Sequence, residues 1–418
     1  MTAPGGAAGE RILDIADLGG RGDGIARTDG GAVYVPFALP GERVRAAVAG
    51  NRATLVAVET PSPDRIAPVC PHFTHCGGCA VQHLAEPAYR AWKRGLVETA
   101  LAHRGIDCAV DLPVDAHGVG RRRTTLHVEF AKGKPRAGYM AARSHALIDL
   151  DRCPILAPPL ADAPAIACAL AAPFARRGKP LDIQLTATAT GIDAVIRGAG
   201  ALDLDAQLDL PGIAEAHDLA RISVGDALAV ARRTPALKVG RATVAPPPGA
   251  FLQATGAGEA ALAALVVAHA GAAKNVADLF CGIGPFALRL AEKAAVLAAD
   301  SDGDAIAALA AAVRHASGLK PVTAVRRDLF RDPLTAAELV PYDAVVFDPP
   351  RAGAAAQAKE LAASAVPVVV AVSCDPASFA RDAATLIAGG YALTRVTPVD
   401  QFRHAAHVEL VARFARPT

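Results

Sequence analysis

The residue best placed to do chemistry in this chain is a cysteine at the end of an apolar run. Pro367 to Ala371 is rich in β-branched residues, and Val372-Ser373-Cys374-Asp375-Pro376 follows as a turn. A buried strand of that composition stops at a surface crevice, and in open α/β sheets ligands lie at the carboxyl ends of the strands. A thiol is the most nucleophilic ordinary side chain at neutral pH, so Cys374 would be placed to attack a bound substrate. Taken alone, the stretch reads more readily as a small buried hydrophobe. Its neighbours in sequence change that reading.

Val276 to Phe280 is a short apolar strand, and Cys281-Gly282-Ile283-Gly284 turns into a helix expected to run to about Lys293. Glycines there let backbone approach a ligand. The next strand, Val296 to Ala299, ends in Asp300, whose carboxylate can accept both hydroxyls of a ribose. The third glycine of the pyrophosphate-binding form is missing, which favours S-adenosylmethionine, a ligand with no phosphate to cradle, over a dinucleotide. Further strands end in Asp328 and in Asp348-Pro349-Pro350-Arg351, so one sheet edge would carry Asp300, Asp328, Asp348 and Cys374. This convergence makes Cys374 a candidate nucleophile. His407-Val408-Glu409-Leu410-Val411 places a carboxylate inside an apolar strand, either partnered in the interior or facing solvent on an edge.

A second group of cysteines invites metal chemistry. Cys70-Pro71, Cys76-Gly77-Gly78-Cys79 and the distant Cys153-Pro154 could supply four thiolates. Glycines between ligands let amides turn toward sulfur, and Cys-Pro recurs in iron-sulfur ligation; a four-thiolate zinc site is the alternative, because spacing does not fix the metal. Cys108 and Cys168 lie outside this pattern and are expected to be structural.

The elements that must position these groups need more than one core, because 418 residues suggest two or three domains. Hydrophobic residues make up 52% and the net charge is only +2, which fits a folded protein whose nucleic-acid contacts would come from local patches. No apolar segment is long enough to span a membrane, and Met1 to Glu10 lacks the regions of a signal peptide, so a cytoplasmic location is expected. Eight cysteines in so long a chain are no disulfide framework.

Residues 11–59 alternate short strands with glycine-rich turns, as in a small β-barrel, and Arg21, Arg27, Arg43, Arg45 and Arg52 could make its surface positive. Pro61-Ser62-Pro63 reads as a linker. Arg121-Arg122-Arg123 with Lys132, Lys134, Arg136 and Arg143 edges a strand pair, either as a phosphate-neutralising surface or as a solvated hairpin. Aromatic residues are only 4%, too few for an extended base-stacking platform. Strands over 181–186, 194–197 and 228–231 carry no evident chemistry, and Pro246-Pro247-Pro248-Gly249 looks like a boundary.

In order along the chain, Phe251-x-Gln253, Asp278-Leu-Phe-Cys-Gly-x-Gly284, Asp348-Pro-Pro-Arg-Ala-Gly353, Ser373-Cys-Asp-Pro376 and His407-Val-Glu409 resemble the motifs of the S-adenosylmethionine-dependent RNA uracil-5-methyltransferases. The glycine-rich start resembles the TRAM module, an RNA-binding OB-like barrel. With Cys70, Cys76, Cys79 and Cys153, the match is closest to the branch that modifies 23S ribosomal RNA and carries a [4Fe-4S] cluster on those four cysteines.

The resemblance implies an α/β multi-domain chain: a TRAM-like barrel over 1–60, a central α+β RNA-binding domain with the cluster over 61–245, and a Rossmann-like methyltransferase domain over 246–418. It implies that Cys374 adds to C6 of an everted uracil and that Glu409 removes the C5 proton. Cofactor contacts carry over to Gln253, Phe280, Gly282, Asp300, Asp328 and Asp348. A monomer that binds RNA, and neither DNA nor membrane, is the matching expectation; a transfer-RNA enzyme or a non-catalytic RNA-binding assembly protein are the alternatives. Pro285 and Thr255 stand where the family often has asparagine, which removes side-chain hydrogen bonds and, at Pro285, a backbone donor.

Overall fold

The structure is a computed structural model that describes residues 9–417. The start of the expected barrel domain and of the segment scanned for a leader, Met1 to Ala8, therefore lies outside the described residues.

Apolar residues alternate with polar ones from Gly9 to Thr60, and the alternation closes into a barrel. Its strands are bonded in the order Gly9–Leu18, Asp23–Thr28, Gly31–Pro36, Arg52–Thr60 and Arg43–Ala49, and the last pairs with the first. Leu13, Ile15, Val33, Val35 and Val44 fill it. Gly24 is required there, since a Cβ would meet the Ala38 carbonyl oxygen at 2.7 Å. The expected linker does not swing freely: Ser62 is buried and donates its N–H to Glu42, whose carboxylate also grips Arg65.

A seven-stranded sheet follows, ordered Ala227–Ala231, Leu219–Val224, Gly191–Arg197, Leu181–Thr188, Arg123–Ala131, Lys134–Met140 and Leu147–Asp149. Helices Ala163–Ala171 and Leu204–Ala216 cover it with Ile166, Leu170 and Leu210. The span 61–245 does not stay with this one core. Val97 and Leu101 of helix Glu86–Ala102 pack into the core of the C-terminal sheet, and hairpin residues Leu237 to Val244 pack against its other face.

The C-terminal sheet has eight strands in the order Val322–Arg326, Ala295–Asp300, Asn275–Leu279, Ala344–Phe347, Val368–Ser373, Glu409–Ala415, Ala392–Asp400 and Val114–Asp115. The first five are parallel, as βα alternation requires, and Glu409–Ala415 returns antiparallel between Val368–Ser373 and Ala392–Asp400. The helix expected to reach Lys293 is shorter, spanning Ala287–Leu290. Gly282 and Gly284 have φ values of +53° and +87°, and Pro285 has no N–H to donate, so the chain turns before it can coil.

Candidate active site

Parallel register brings the strand ends to one edge. Leu279 lies beside Ala299 and Phe347, and Phe347 beside Ala371, so the residues after each strand share a crevice. Asp300 Oδ2 accepts the Gly282 N–H at 2.8 Å and its Oδ1 accepts that of Asp302 at 2.9 Å. A Cβ on Gly284 would meet Leu309 at 2.5 Å, so only glycine lets the turn lie this close to the helix beneath it. Phe280 holds a left-handed backbone, φ +60°, and its ring packs against Phe330 with centroids 5.4 Å apart. The Phe330 N–H in turn donates to Asp328 Oδ1 at 3.1 Å. Phe280, Gly282, Asp300 and Asp328 thus occupy one end of the edge.

Cys374 follows Ser373 at the strand-to-helix turn and remains partly accessible. Asp375 fixes the turn by accepting the Ser378 N–H at 2.8 Å as the cap of helix Pro376–Ala388. Ser373 pairs with Leu410 as the last step of the antiparallel ladder, so Cys374 and Glu409 are the next residues along the two neighbouring strands, and the Glu409 charge reaches the thiol. Glu409 is not a solvent-facing edge residue, because it is 3% exposed and its strand is interior to the sheet.

A chain of amides ties this carboxylate to the cofactor side. Gln401 Nε2 donates to Glu409 Oε1 at 3.2 Å and to Gln253 Oε1 at 2.6 Å. Gln253 Nε2 donates to Asp348 Oδ2 at 3.2 Å. Glu409 Oε2 is buried with no hydrogen-bond partner, so one lone-pair face is left for a proton or a ligand. Arg122 anchors the arrangement from the central sheet by donating to the Gln253 carbonyl at 3.0 Å.

Burial dominates the electrostatics. It pushes the Cys374 thiol up to about 12, the charges of Glu409 and Asp348 add to the shift, and the Arg351 guanidinium opposes it. Burial, then Asp348, raises Glu409 above the carboxylate range, and burial raises Asp348. One thiol and two acids that each resist ionisation are thus close enough to feel one another, an arrangement suited to passing protons near neutral pH.

The motifs pointed to Cys374, Glu409, Gln253 and Asp348 and contain Asp278 without giving it a role, but Gln401 was not legible. Gln401 sits in Val399-Asp400-Gln401, an unremarkable strand end whose role depends on a contact to Gln253, 148 residues earlier in the chain. Asp278 is fully buried with neither carboxyl oxygen partnered, and burial, then Asp348, push it well above the carboxylate range. It heads the Asp278-Leu-Phe-Cys-Gly-x-Gly284 motif as an acid within an otherwise apolar strand. Thr255, read as a loss, caps helix Gly256–Ala270 by accepting the Gly258 N–H at 2.8 Å and donates its hydroxyl to the Ala116 carbonyl.

Cys70, Cys76, Cys79 and Cys153 come together around one cavity of about 350 Å³. The Gly78 N–H donates to Cys76 Sγ at 3.4 Å. Burial pushes the thiols of Cys76, Cys79 and Cys153 up. Among the described residues no three His, Cys, Asp or Glu side chains converge on a point fit for one metal ion. The thiols surround a space, whereas a zinc ion would need all its ligands within about 2.3 Å. Cys108 and Cys168 lie apart from this group, each with its Sγ near a backbone carbonyl.

Several cations of the basic run have partners within the protein. Arg122 pairs with Glu259 at 2.6 Å, Arg136 with Asp149 at 2.9 Å, and Arg143 reaches Asp23 of the barrel. Arg123 donates to the Ala250 carbonyl and stacks on Phe251. Arg27, Arg43 and Arg45 likewise pair with acids on the barrel. Lys132 and Lys134 remain exposed, while Arg121 lines both the cysteine cavity and a cleft of about 360 Å³ shared with His117, Arg403 and Gln401. No helix among the described residues is long and apolar enough to cross a membrane.

A family model described as tRNA (Uracil-5-)-methyltransferase matches residues 246–414, and the TRAM domain model matches 11–49. The chain is 47% identical over 400 residues to an uncharacterized RNA methyltransferase of Brucella suis, covering 96% of each. It is 34% identical to the 23S rRNA (uracil(1939)-C(5))-methyltransferase RlmD of Chromohalobacter salexigens, covering 97% of this chain and 89% of that one. A crystal structure of the Pyrococcus abyssi tRNA (uracil-54, C5)-methyltransferase with S-adenosyl-L-homocysteine shares the fold, with a TM-score of 0.71 at 20% identity over 97% of this chain and all of that one. Full-length similarity to these enzymes, and a TRAM model on the five-stranded barrel, place the chain in the S-adenosylmethionine-dependent RNA uracil-5-methyltransferase family.

Proposed function

We propose that this chain methylates C5 of a uridine in 23S ribosomal RNA through a covalent adduct on Cys374. The observation that supports the reading is the end of the ladder at Ser373 and Leu410, which leaves Cys374 and Glu409 next along neighbouring strands, with Gln401 and Gln253 linking that carboxylate to Asp348. C5 of uracil is a poor nucleophile until a thiolate adds to C6 and pushes the ring electrons toward O4 as an enolate. Arg351, the cation that opposes the rise of the Cys374 thiol, favours that thiolate. S-adenosylmethionine supplies an electrophilic methyl group, which C5 takes. Glu409 then accepts the C5 proton on its unpartnered oxygen, the C5–H electrons restore the double bond, and the C6–S bond breaks to return the thiolate.

Gln253, Phe280, Gly282, Asp300, Asp328 and Asp348 would hold the cofactor along the strand ends. Cys70, Cys76, Cys79 and Cys153 would hold a [4Fe-4S] cluster, a fit supported by soft thiolate donors arranged around a cavity and by an amide aimed at Cys76 sulfur. Arg143, which lines that cavity, also pairs with Asp23, so the cluster would sit where the barrel meets the central sheet. Mapping 5-methyluridine in ribosomal and transfer RNA from cells with and without the protein tests the substrate. Loss of one 23S site is expected; loss confined to transfer RNA would reassign the substrate.

A further inference from the structure

Helix Glu86–Ala102, far from the methyltransferase motifs in sequence, sends a lysine into the interior against the segment that leads to the proposed base. Lys93 is 0% exposed, among the largest fully buried side chains. A buried ammonium is costly unless each proton finds an acceptor, and here they do. Lys93 Nζ donates to Asp400 Oδ1 at 3.0 Å, to the Phe402 carbonyl at 3.3 Å and to the His407 carbonyl. Asp400 is held from its other side by the Tyr89 hydroxyl and lies 2.9 Å from His117 Nε2.

These contacts bracket one loop. Gln401 lies between two residues that Lys93 holds, Asp400 and Phe402, and Glu409 lies two residues past the third, His407. The loop's apex, His404, has a left-handed backbone with φ +62°. It is pinned by its N–H to the Tyr89 hydroxyl at 3.2 Å and by the N–H groups of Ala80 and Val81, which both donate to its carbonyl. A strained loop over-determined in this way keeps its ends fixed.

We propose that Lys93 and Asp400 are positioning residues for Glu409: a buried clamp that sets the 402–407 loop, and with it Gln401 and the carboxylate, for removal of the C5 proton. This rests on the reading of Cys374 and Glu409 given above. Loosening the clamp leaves adduct formation and methyl transfer possible, since both precede proton removal, and delays the final elimination.

The test uses the full chain, unmodified 23S ribosomal RNA and methyl-labelled S-adenosylmethionine, and follows label in protein-linked RNA against label in released 5-methyluridine. Lys93→Met and Asp400→Asn are expected to hold most label in a denaturant-stable protein–RNA adduct and to release product on the order of 10²-fold more slowly, with RNA affinity unchanged. Release at the wild-type partition, or equal loss of adduct and product, would overturn the assignment. If Lys93→Met does not fold, Asp400→Asn and Tyr89→Phe, which keep side-chain size, carry the test; failure of all three to fold would show a clamp serving stability alone and would overturn it too. Wild-type protein that forms no adduct with 5-fluorouridine RNA would instead remove the mechanism beneath the proposal.

Discussion

Two groups of thiols in this molecule face opposite kinds of surroundings. Cys374 stands alone at a strand end, with burial and then Glu409 and Asp348 raising its pKa and the Arg351 guanidinium among the influences opposing them. Cys70, Cys76, Cys79 and Cys153 sit together around a cavity whose lining adds Arg121, Arg143 and Arg152 and no acid. The same side chain beside carboxyls gains proton-transfer partners, and among other thiols and cations it gains a reason to bind a soft, polynuclear group. Residue type did not separate these roles; neighbours did.

The sharpest way to break the contrast is to exchange one thiol at a time. Cys374→Ala is expected to lower methylation by at least about 10⁴-fold while leaving the broad visible absorbance of an anaerobic preparation intact. Cys79→Ser is expected to abolish that absorbance and to destabilise the fold by on the order of a few kcal/mol, read by denaturant unfolding, while residual methylation persists. A colourless wild-type protein would contradict the cluster, and a Cys374→Ala protein with full activity would contradict the nucleophile.

A smaller effect concerns the acids that only the first site has. Glu409 and Asp348 are both raised by burial, so Glu409 holds its proton well above the pH at which an exposed glutamate loses it. A base must be deprotonated to act, so the rate of elimination should fall as pH drops through that raised value. Asp348→Asn removes the negative neighbour and should move this acid limb down by about one pH unit, a shift that a pH–rate profile of adduct breakdown would show. An unmoved limb would mean that the two carboxyls do not act on one another.

Much of this was legible in sequence because it was local. Apolar runs ending in Asp300, Asp348 and Cys374 predict a sheet edge, and alternating residues from Arg11 to Glu59 predict the barrel. What escaped notice depended on distant parts of the chain meeting. Lys93 and Asp400 are 307 residues apart, and nothing near either one announces a buried pair. The partners of the basic run were hidden for the same reason: Arg122 and Arg143 find their acids at Glu259 and Asp23, 137 and 120 residues away. The smallest expected effect sits with the cysteines outside both groups. Cys168→Ser should leave methylation and absorbance unchanged and stability within about 1 kcal/mol, whereas a change in absorbance would enlarge the ligand set.

The covalent bond between Cys374 and the base is the step on which the rest of the chemistry turns. Incubating the protein with S-adenosylmethionine and RNA carrying 5-fluorouridine, whose fluorine cannot leave as a proton does, should trap a protein–RNA species stable to denaturant in the wild type and none in Cys374→Ala. Methyl transfer to ordinary RNA by a wild-type protein that forms no such species would contradict the account.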